Sequence, residues 1–290
     1  MAGEIKSQTT SLSDLIAPIV AEAQFVAAER SIMRGLVKNF TVPANSGKVL
    51  QVPIYPVQAA AGLTEADDLT PSAITTSNKS ITLTEIGLMT NVSDLAINHS
   101  PTNVIADIGK LFGEAIAIKI DRDLTALFGG FSTTVGSASA AITAAKVFEA
   151  VANLRANGVP SSDLAMVLHP LVAYDLKSTI TSTFAAPASD VGNEALRTGY
   201  VGMIAGVPVY ETSNMADSSG NFPGSTGDYK GAVFHRDAIA MAMSGDIRIE
   251  TQRDASARAT EIVGVATYGV SELHDTYGVE IEADSSIQNA

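Results

Sequence analysis

Between residues 47 and 92 hydrophobic and polar positions alternate. In "GKVLQVPIYPV" (47–57) Leu50, Val52, Ile54 and Pro56 interleave with Gln51, Pro53 and Tyr55. In "NKSITLTEIGLMTNV" (78–92) Ile81 and Leu83 hold one phase, and Ile86, Leu88 and Val92 hold the other. A period of two marks a half-buried strand, so these stretches are the arms of a long hairpin. The change of phase around Glu85–Gly87 predicts a β-bulge that bends the second arm. Two prolines place the first arm at a sheet edge or in an unpaired ribbon. The tip, "GLTEADDLT" (62–70), carries Glu65, Asp67 and Asp68. A hairpin alone buries too little to be stable in water, so this one must lean on something else.

Helical spacing dominates two other stretches. Residues 1–13 are polar and read as a loose arm, and a helix is expected from Pro18 to Phe40, where Ile32, Met33, Leu36, Val37 and Phe40 repeat at helical spacing. Arg30, Arg34 and Lys38 repeat at i, i+4 along it. That basic edge is either a solvated face or a docking edge for an acidic protein surface. The clearest element is "SPTNVIADIGKLFGEAIAIKIDRDLTALFGG" (100–130). Ser100 suits a cap, Pro101 a first turn and Gly129 the C′ position. Val104, Ile105, Ile108, Leu111, Phe112, Ala115 and Ile116 form its apolar stripe. A helix of about 28 residues spans about 42 Å, long enough to be a backbone for other elements.

The middle of the chain alternates element types. Residues 143–158 read as a helix stopped by Gly158, 163–169 as a buried strand, 170–180 as a second helix entered through Pro170, 201–213 as a strand pair bent at Gly206, and 231–235 as another strand. Residues 214–230 are turn formers throughout and read as a surface loop. Strands follow at 246–254, 259–273 and 278–283, the first alternating Ile247, Ile249 and Thr251 against Arg248, Glu250 and Gln252. The late strands are expected beside the long helix, and no internal repeat is present.

Composition narrows the function classes. The chain has 290 residues, 46% of them hydrophobic, enough core for one large domain or two modest ones. Only 17% are charged, against a usual figure of about a quarter. Either part of the surface faces other protein, or this is an Ala-rich soluble domain. With 18 basic and 31 acidic residues and a net charge of −13, the chain is a poor wrapper of nucleic acid, whose binding depends on phosphate neutralisation. Disulfides, thiolate nucleophiles and Cys-ligated metals are excluded, because there is no cysteine. No basic-then-apolar leader opens the sequence, and no uncharged apolar run approaches the roughly 18 residues of a membrane span.

The search for catalytic chemistry finds little. His99, His169, His235 and His274 are widely scattered, and no HExxH or GxSxG is present. "HRDA" (235–238) has Ala242 where a kinase catalytic loop needs Asn, and "SGKV" (46–49) lacks the Ser/Thr and upstream Gly of a phosphate loop. Asp217, Ser219, Asn221 and Asp228 fall at calcium-loop spacing, but Phe222 occupies the glycine position and Asp228 replaces the bidentate Glu. No catalytic residue, metal ligand or cofactor is therefore assigned. A hydrolase built on a non-local carboxylate pair remains as an alternative, since paired acids need no local motif.

The order of elements carries a resemblance. Polar arm, amphipathic helix, long bent hairpin, long helix, α/β middle and long late strands together resemble the major capsid protein of tailed double-stranded DNA phages. "LAMVLHPLVAYDLKS" (164–178) resembles that family's strand–Pro–helix segment. "MIAGVPVYETSNM" (203–215) resembles its Gly-x-Pro-Val strand, and "AVFHRDAIAMAM" (232–243) with "RIETQRDASARATEIVGVATYGVSEL" (248–273) resembles its closing strands.

The resemblance implies an α+β fold in four parts. These are an N-terminal arm and helix (1–40), an extended β-hairpin loop (41–99), a peripheral domain with a long spine helix (100–129 and 246–290), and an α/β axial domain (130–245). It implies a loop lying across a neighbouring subunit, and hexamers and pentamers closing an icosahedral shell around the genome. Expected partners are the chain itself, a separate scaffolding protein, a portal at one vertex and a decoration protein. Contact with packaged DNA is expected to be weak and non-specific, and no membrane is involved. The implied location is the virion capsid, assembled in the host cytoplasm. An encapsulin-like compartment shell is the alternative within the fold. Candidate inter-subunit contacts pair the acids Glu65, Asp67 and Asp68 with Arg30, Arg34 and Lys38, or with Arg248, Arg253 and Arg258. The tip (59–72) has no Lys for covalent cross-linking; Lys48 and Lys79 lie back along the arms.

Overall fold

The computed structural model describes residues 31–43, 47–56, 60, 62, 73–95, 104–184, 202–222, 224, 227–245 and 247–287. The chain begins with a short helix α1 (Met33–Leu36), strand β1 (Lys38–Thr41), the ribbon strands β2 (Val49–Ile54) and β3 (Ser77–Thr82), and β4 (Thr84–Ser93). The long helix α2 (Val104–Thr125) runs into a 3-10 turn (Ala126–Gly130). Then come β5 (Thr134–Ser137), α3 (Ala144–Ala156), β6 (Leu164–Leu168), α4 (Pro170–Phe184), β7 (Met203–Ile204), β8 (Val207–Glu211), β9 (Asp228–His235) and β10 (Ile239–Met243). Last are β11 (Arg248–Asp254), β12 (Ala259–Glu272), a 3-10 turn (Asp275–Tyr277) and β13 (Gly278–Asp284). No helix among the described residues is long and apolar enough to cross a membrane.

Two sheets and the ribbon account for the strands. β12 pairs along its first part with β4 on one side and β11 on the other, and along its last part with β10, which carries β1 in parallel at the edge. The second sheet has the order β5-β13-β9-β6-β8-β7, with β5–β13 and β6–β8 parallel. β6 is buried on both faces: Ala165 and Val167 join the core shared with α2, and Leu164, Met166 and Leu168 join the core under α3 and α4. A strand covered on both sides has no polar face to alternate with, and its sequence is accordingly an unbroken apolar run.

Helix α2 lies on the first sheet. Ile108, Phe112, Ile116, Ile120 and Leu124 are buried at i, i+4 spacing, and Phe128 continues the row. Close approach is secured at Gly264 of β12, where an added Cβ would stand 2.7 Å from the Phe112 ring.

Several expectations change here. The helix expected through Phe40 stops at Leu36, and Lys38–Thr41 is a strand instead. Leu111 (62% exposed) and Ala115 belong to the outer side of α2, not to its buried stripe. The phase changes between Leu83 and Ile86 as expected, but no β-bulge at Glu85–Gly87 makes it: β4 keeps an unbroken register with β12 from Thr84 to Ser93, and the chain leaves the ribbon for the sheet at Leu83. Residues 214–230 are not simply a surface loop: Met215, Asp217 and Tyr229 are buried, and β9 starts at Asp228. Strands β1 and β5 were not legible. Sheet membership also crosses the expected boundary at 245/246, because β10 joins the sheet under α2 while β13 joins the other.

Candidate functional site

The ribbon is positioned by its root. β2 and β3 pair antiparallel from Val49↔Thr82 to Ile54↔Ser77, and Leu83 N–H donates to the Lys48 carbonyl at 2.8 Å. Ile81 and Leu83 are buried with Val42, Ala240, Ala242 and Leu273, and Leu50 and Val52 pack against this cluster. The β12 backbone comes so close at Gly269 that a Cβ there would collide with the Thr82 carbonyl. The root therefore leans on its own chain. Beyond it, among the described residues, Tyr55 is 68% and Ile74 61% exposed. Glu65, Asp67 and Asp68, together with Arg30, lie outside the described residues.

The candidate basic partners are not gathered into one surface. Lys38 is in β1, off any helical edge shared with Arg34, and its ammonium is 2.8 Å from Asp237. That hydrogen bond holds the Asp237 carboxyl below the usual carboxylate range. Arg248 reaches Glu250 at 3.1 Å and, across β12, Glu85 at 3.7 Å. Arg253 makes a two-pronged contact with Asp94, at 2.6 and 2.7 Å, which lowers the Asp94 pKa and raises its own. Arg258 sits exposed on the β11–β12 turn with φ 49°, its carbonyl accepting from the Asp94 N–H at 3.1 Å. Among the described residues neither the Arg258 nor the Arg34 side chain is in an ion pair. Three of the five described candidates thus have acids of their own chain.

The polar groups singled out for chemistry serve the fold. The Asp217 carboxylate accepts from the backbone N–H groups of Ser219 and Asn221, at 3.0 and 2.8 Å, and from the Asn221 side chain. This closes its own turn. His235 Nδ1 accepts the Asp237 N–H at 3.2 Å, and His169 stacks on Tyr229 with ring centroids 3.6 Å apart. Burial there pushes the His169 imidazole down to about 4. Among the described residues no group of three His, Asp or Glu is arranged to hold a metal ion.

Sequence reasoning missed Asp121. It is fully buried in α2, between Ile120 and Leu124. Its carboxylate accepts from Ser31 Oγ (2.7 Å), Ile32 N–H (3.2 Å), Met33 N–H (3.3 Å) and the Asn214 side chain. Burial raises its pKa, and these hydrogen bonds oppose the shift. An acid on the buried side of a helix was the available signal.

With this arrangement in place, the comparisons with known proteins are decisive. The model of a family described as phage capsid protein matches residues 76–279. The chain belongs to that family. No curated protein matches it. The structure is similar to the capsid of Cyanophage P-SCSP1u, at 20% identity with a TM-score of 0.71, over 88% of this chain and 89% of that one. A Mycobacterium phage Che8 structure follows at 19% identity and TM-score 0.68, over 87% and 90% of the two chains. The capsid of Helicobacter pylori bacteriophage KHP30 gives 12% identity and TM-score 0.67, over 88% and 91%. The fold is thus that of the tailed-phage major capsid proteins, and the chain is a structural capsid subunit of the virion. Neither the compartment-shell nor the hydrolase alternative is favoured.

Proposed function

We propose that this capsid protein builds its shell by laying the 47–92 ribbon across a neighbouring copy. The copies form hexamers and pentamers, which close an icosahedral shell around the phage genome. The observation that carries this is the ribbon itself: a two-stranded element which, among the described residues, is anchored at its root and leaves Tyr55 and Ile74 open to solvent. Such an element gains too little from its own chain to be kept extended in water, and a second copy supplies the missing burial. The acidic tip needs a basic surface on that copy. Arg258 and Arg34 are the best-placed partners, because Lys38, Arg248 and Arg253 are engaged within the chain. The proposed parts are arm 1–40, loop 41–99, peripheral region 100–129 with 246–290, and axial region 130–245, with β10 lending a strand to the peripheral sheet and β13 one to the axial sheet.

Assembly takes place in the host cytoplasm with a separate scaffolding protein, and a portal occupies one vertex. The subunit is no enzyme and carries no cofactor. A net charge of −13 suits a lining along which packed DNA slides. Deleting residues 58–76 tests the reading. The expected product is a folded, soluble subunit that forms no shells in electron micrographs; normal particles from the deletion variant overturn it.

A further inference from the structure

The second sheet is not covered evenly. Along β8, Val207 and Val209 pack into the core under α3 and α4. Pro208 and Tyr210 alternate to the other face, where Tyr210 stands beside Val167 of β6. Val167 is buried there, in the core shared with α2. The helix α1 on that side has only four residues, and the face stays open over β7 and β8. Met203, paired with Pro208, is 64% exposed, and Tyr210 is 37% exposed. These side chains and Leu36 of α1 line a groove of about 440 Å³, with Arg236 and Asp163 on its rim. Arg236 is fixed there by its backbone N–H, which donates to the Asp163 carbonyl at 3.1 Å, and by its Nε, which donates to the Val37 carbonyl at 3.4 Å. Arg34 stands next to Gly35 of the same rim. Among the described residues neither arginine is in an ion pair.

Open apolar side chains in a concave patch with a charged rim mark an interaction site. The occupant of this one must bring apolar side chains and negative charge, and the ribbon of a second copy brings both. Tyr55 and Ile74 are exposed just past its last described pair, Ile54↔Ser77. The nearest tip acid, Asp68, is six residues from Ile74, at most about 20 Å along the chain. We propose that the groove over β7 and β8 receives the ribbon of a neighbouring copy, with Tyr55 and Ile74 against Met203 and Tyr210 and the acidic tip at Arg236 and Arg34. This rests on the shell reading above and names the surface that receives the ribbon. A second cavity, of about 450 Å³ beside Ile32 and Ile118, is the poorer seat: it is lined by Glu114 and Glu211 and by no cation, and like charges repel an acidic tip. Met89, Leu95 and Leu111 are also exposed, but they line neither cavity.

The chain has no cysteine, so introduced single cysteines report the contact. Full-length Ile74→Cys and Met203→Cys subunits are mixed, assembled and treated with a short bismaleimide, and joined chains are read on a denaturing gel. Tyr210→Cys in place of Met203→Cys repeats the measurement from another residue of the groove. Leu95→Cys, exposed but outside the groove, sets the background. Joined chains are expected roughly tenfold above background from both groove positions, because seating raises the local thiol concentration. Arg236→Glu should cut the yield about fivefold. Adding Glu65→Lys, Asp67→Lys and Asp68→Lys to that chain should restore it, which a merely structural role of Arg236 would not allow. Three results overturn the groove assignment: background yield in assembled shells, a link within single chains of an unassembled Ile74→Cys, Met203→Cys double variant, or a loss that the charge swap does not restore. Parent subunits that form no shells overturn the shell reading instead, and the groove assignment with it.

Discussion

Replacing Gly264 by Ala tests how closely α2 packs on the first sheet. Gly264 lies mid-strand in β12, opposite Ile249 of β11 and Leu88 of β4. A Cβ there would stand 2.7 Å from Phe112 Cδ2 and 3.1 Å from Cε2. Carbon atoms normally meet at about 3.5–4.0 Å, so the methyl overlaps the ring. The ring is 3% exposed and rooted in a 22-residue helix, so it cannot swing into solvent. Overpacking of this kind costs about 1–3 kcal/mol. Removing a strand glycine returns about 0.5–1 kcal/mol of chain entropy. The net expectation is a loss of about 1–2 kcal/mol, read as a lower urea midpoint at unchanged slope for dissociated subunits. Phe112→Leu makes room for the methyl, so the double variant should be more stable than the sum of the single effects by about 1 kcal/mol. A Gly264→Ala subunit as stable as the parent, or strict additivity in the double variant, would refute the packing argument.

Replacing Glu65, Asp67 and Asp68 by Gln, Asn and Asn should loosen assembled shells at low salt and remove much of their salt sensitivity, since screening acts on exposed pairs. Arg258→Glu should reproduce the effect. Unchanged shell stability in the triple variant leaves the acids only a solubility role. His169 has a folded pKa of about 4 against an ordinary 6.5, so the unfolded chain binds more protons between those values. Subunit stability should therefore fall as pH drops from 6.5 to 4 and change no further through this group below that. His169→Phe should flatten the slope in that window, and an unaltered slope would show that His169 is not its source. Lys230→Met leaves the carboxylate of Glu280, which is 5% exposed, without the ammonium 3.1 Å away. The expected cost is about 2–4 kcal/mol, reduced from a fully buried pair because the lysine is a third exposed. Adding Glu280→Gln should recover most of it in the same unfolding assay; a single-variant loss below about 1 kcal/mol would mean that the Thr134 hydroxyl, at 2.9 Å, suffices.

Elements with a long, unambiguous period were legible in the sequence. Helix α2 announces itself by Ile108, Phe112 and Ile116, the ribbon by its alternation, β6 by its apolar run, and the late strands by Ile247, Ile249 and the β-branched residues after them. Their order sufficed to point to the capsid family. The tertiary structure decided what no local period encodes. Lys38–Thr41 became a strand because β10 offers it an edge and Phe40 packs against the cluster of Val42, Ile81 and Leu83. Its own spacing of apolar residues fits either state. β13 went to the sheet of β9 because strand partners lie far apart in sequence, and hydrogen-bond pairing across that distance leaves no mark on composition. The charged candidates show the same limit. Glu65, Asp67, Asp68, Arg248 and Arg253 are plain in the sequence, and so is Glu250 on the same strand face as Arg248, but only the fold shows that Arg248 also reaches Glu85 and that Arg253 faces Asp94. Coulomb attraction is settled by distance in space, and the sequence holds distances only along the chain.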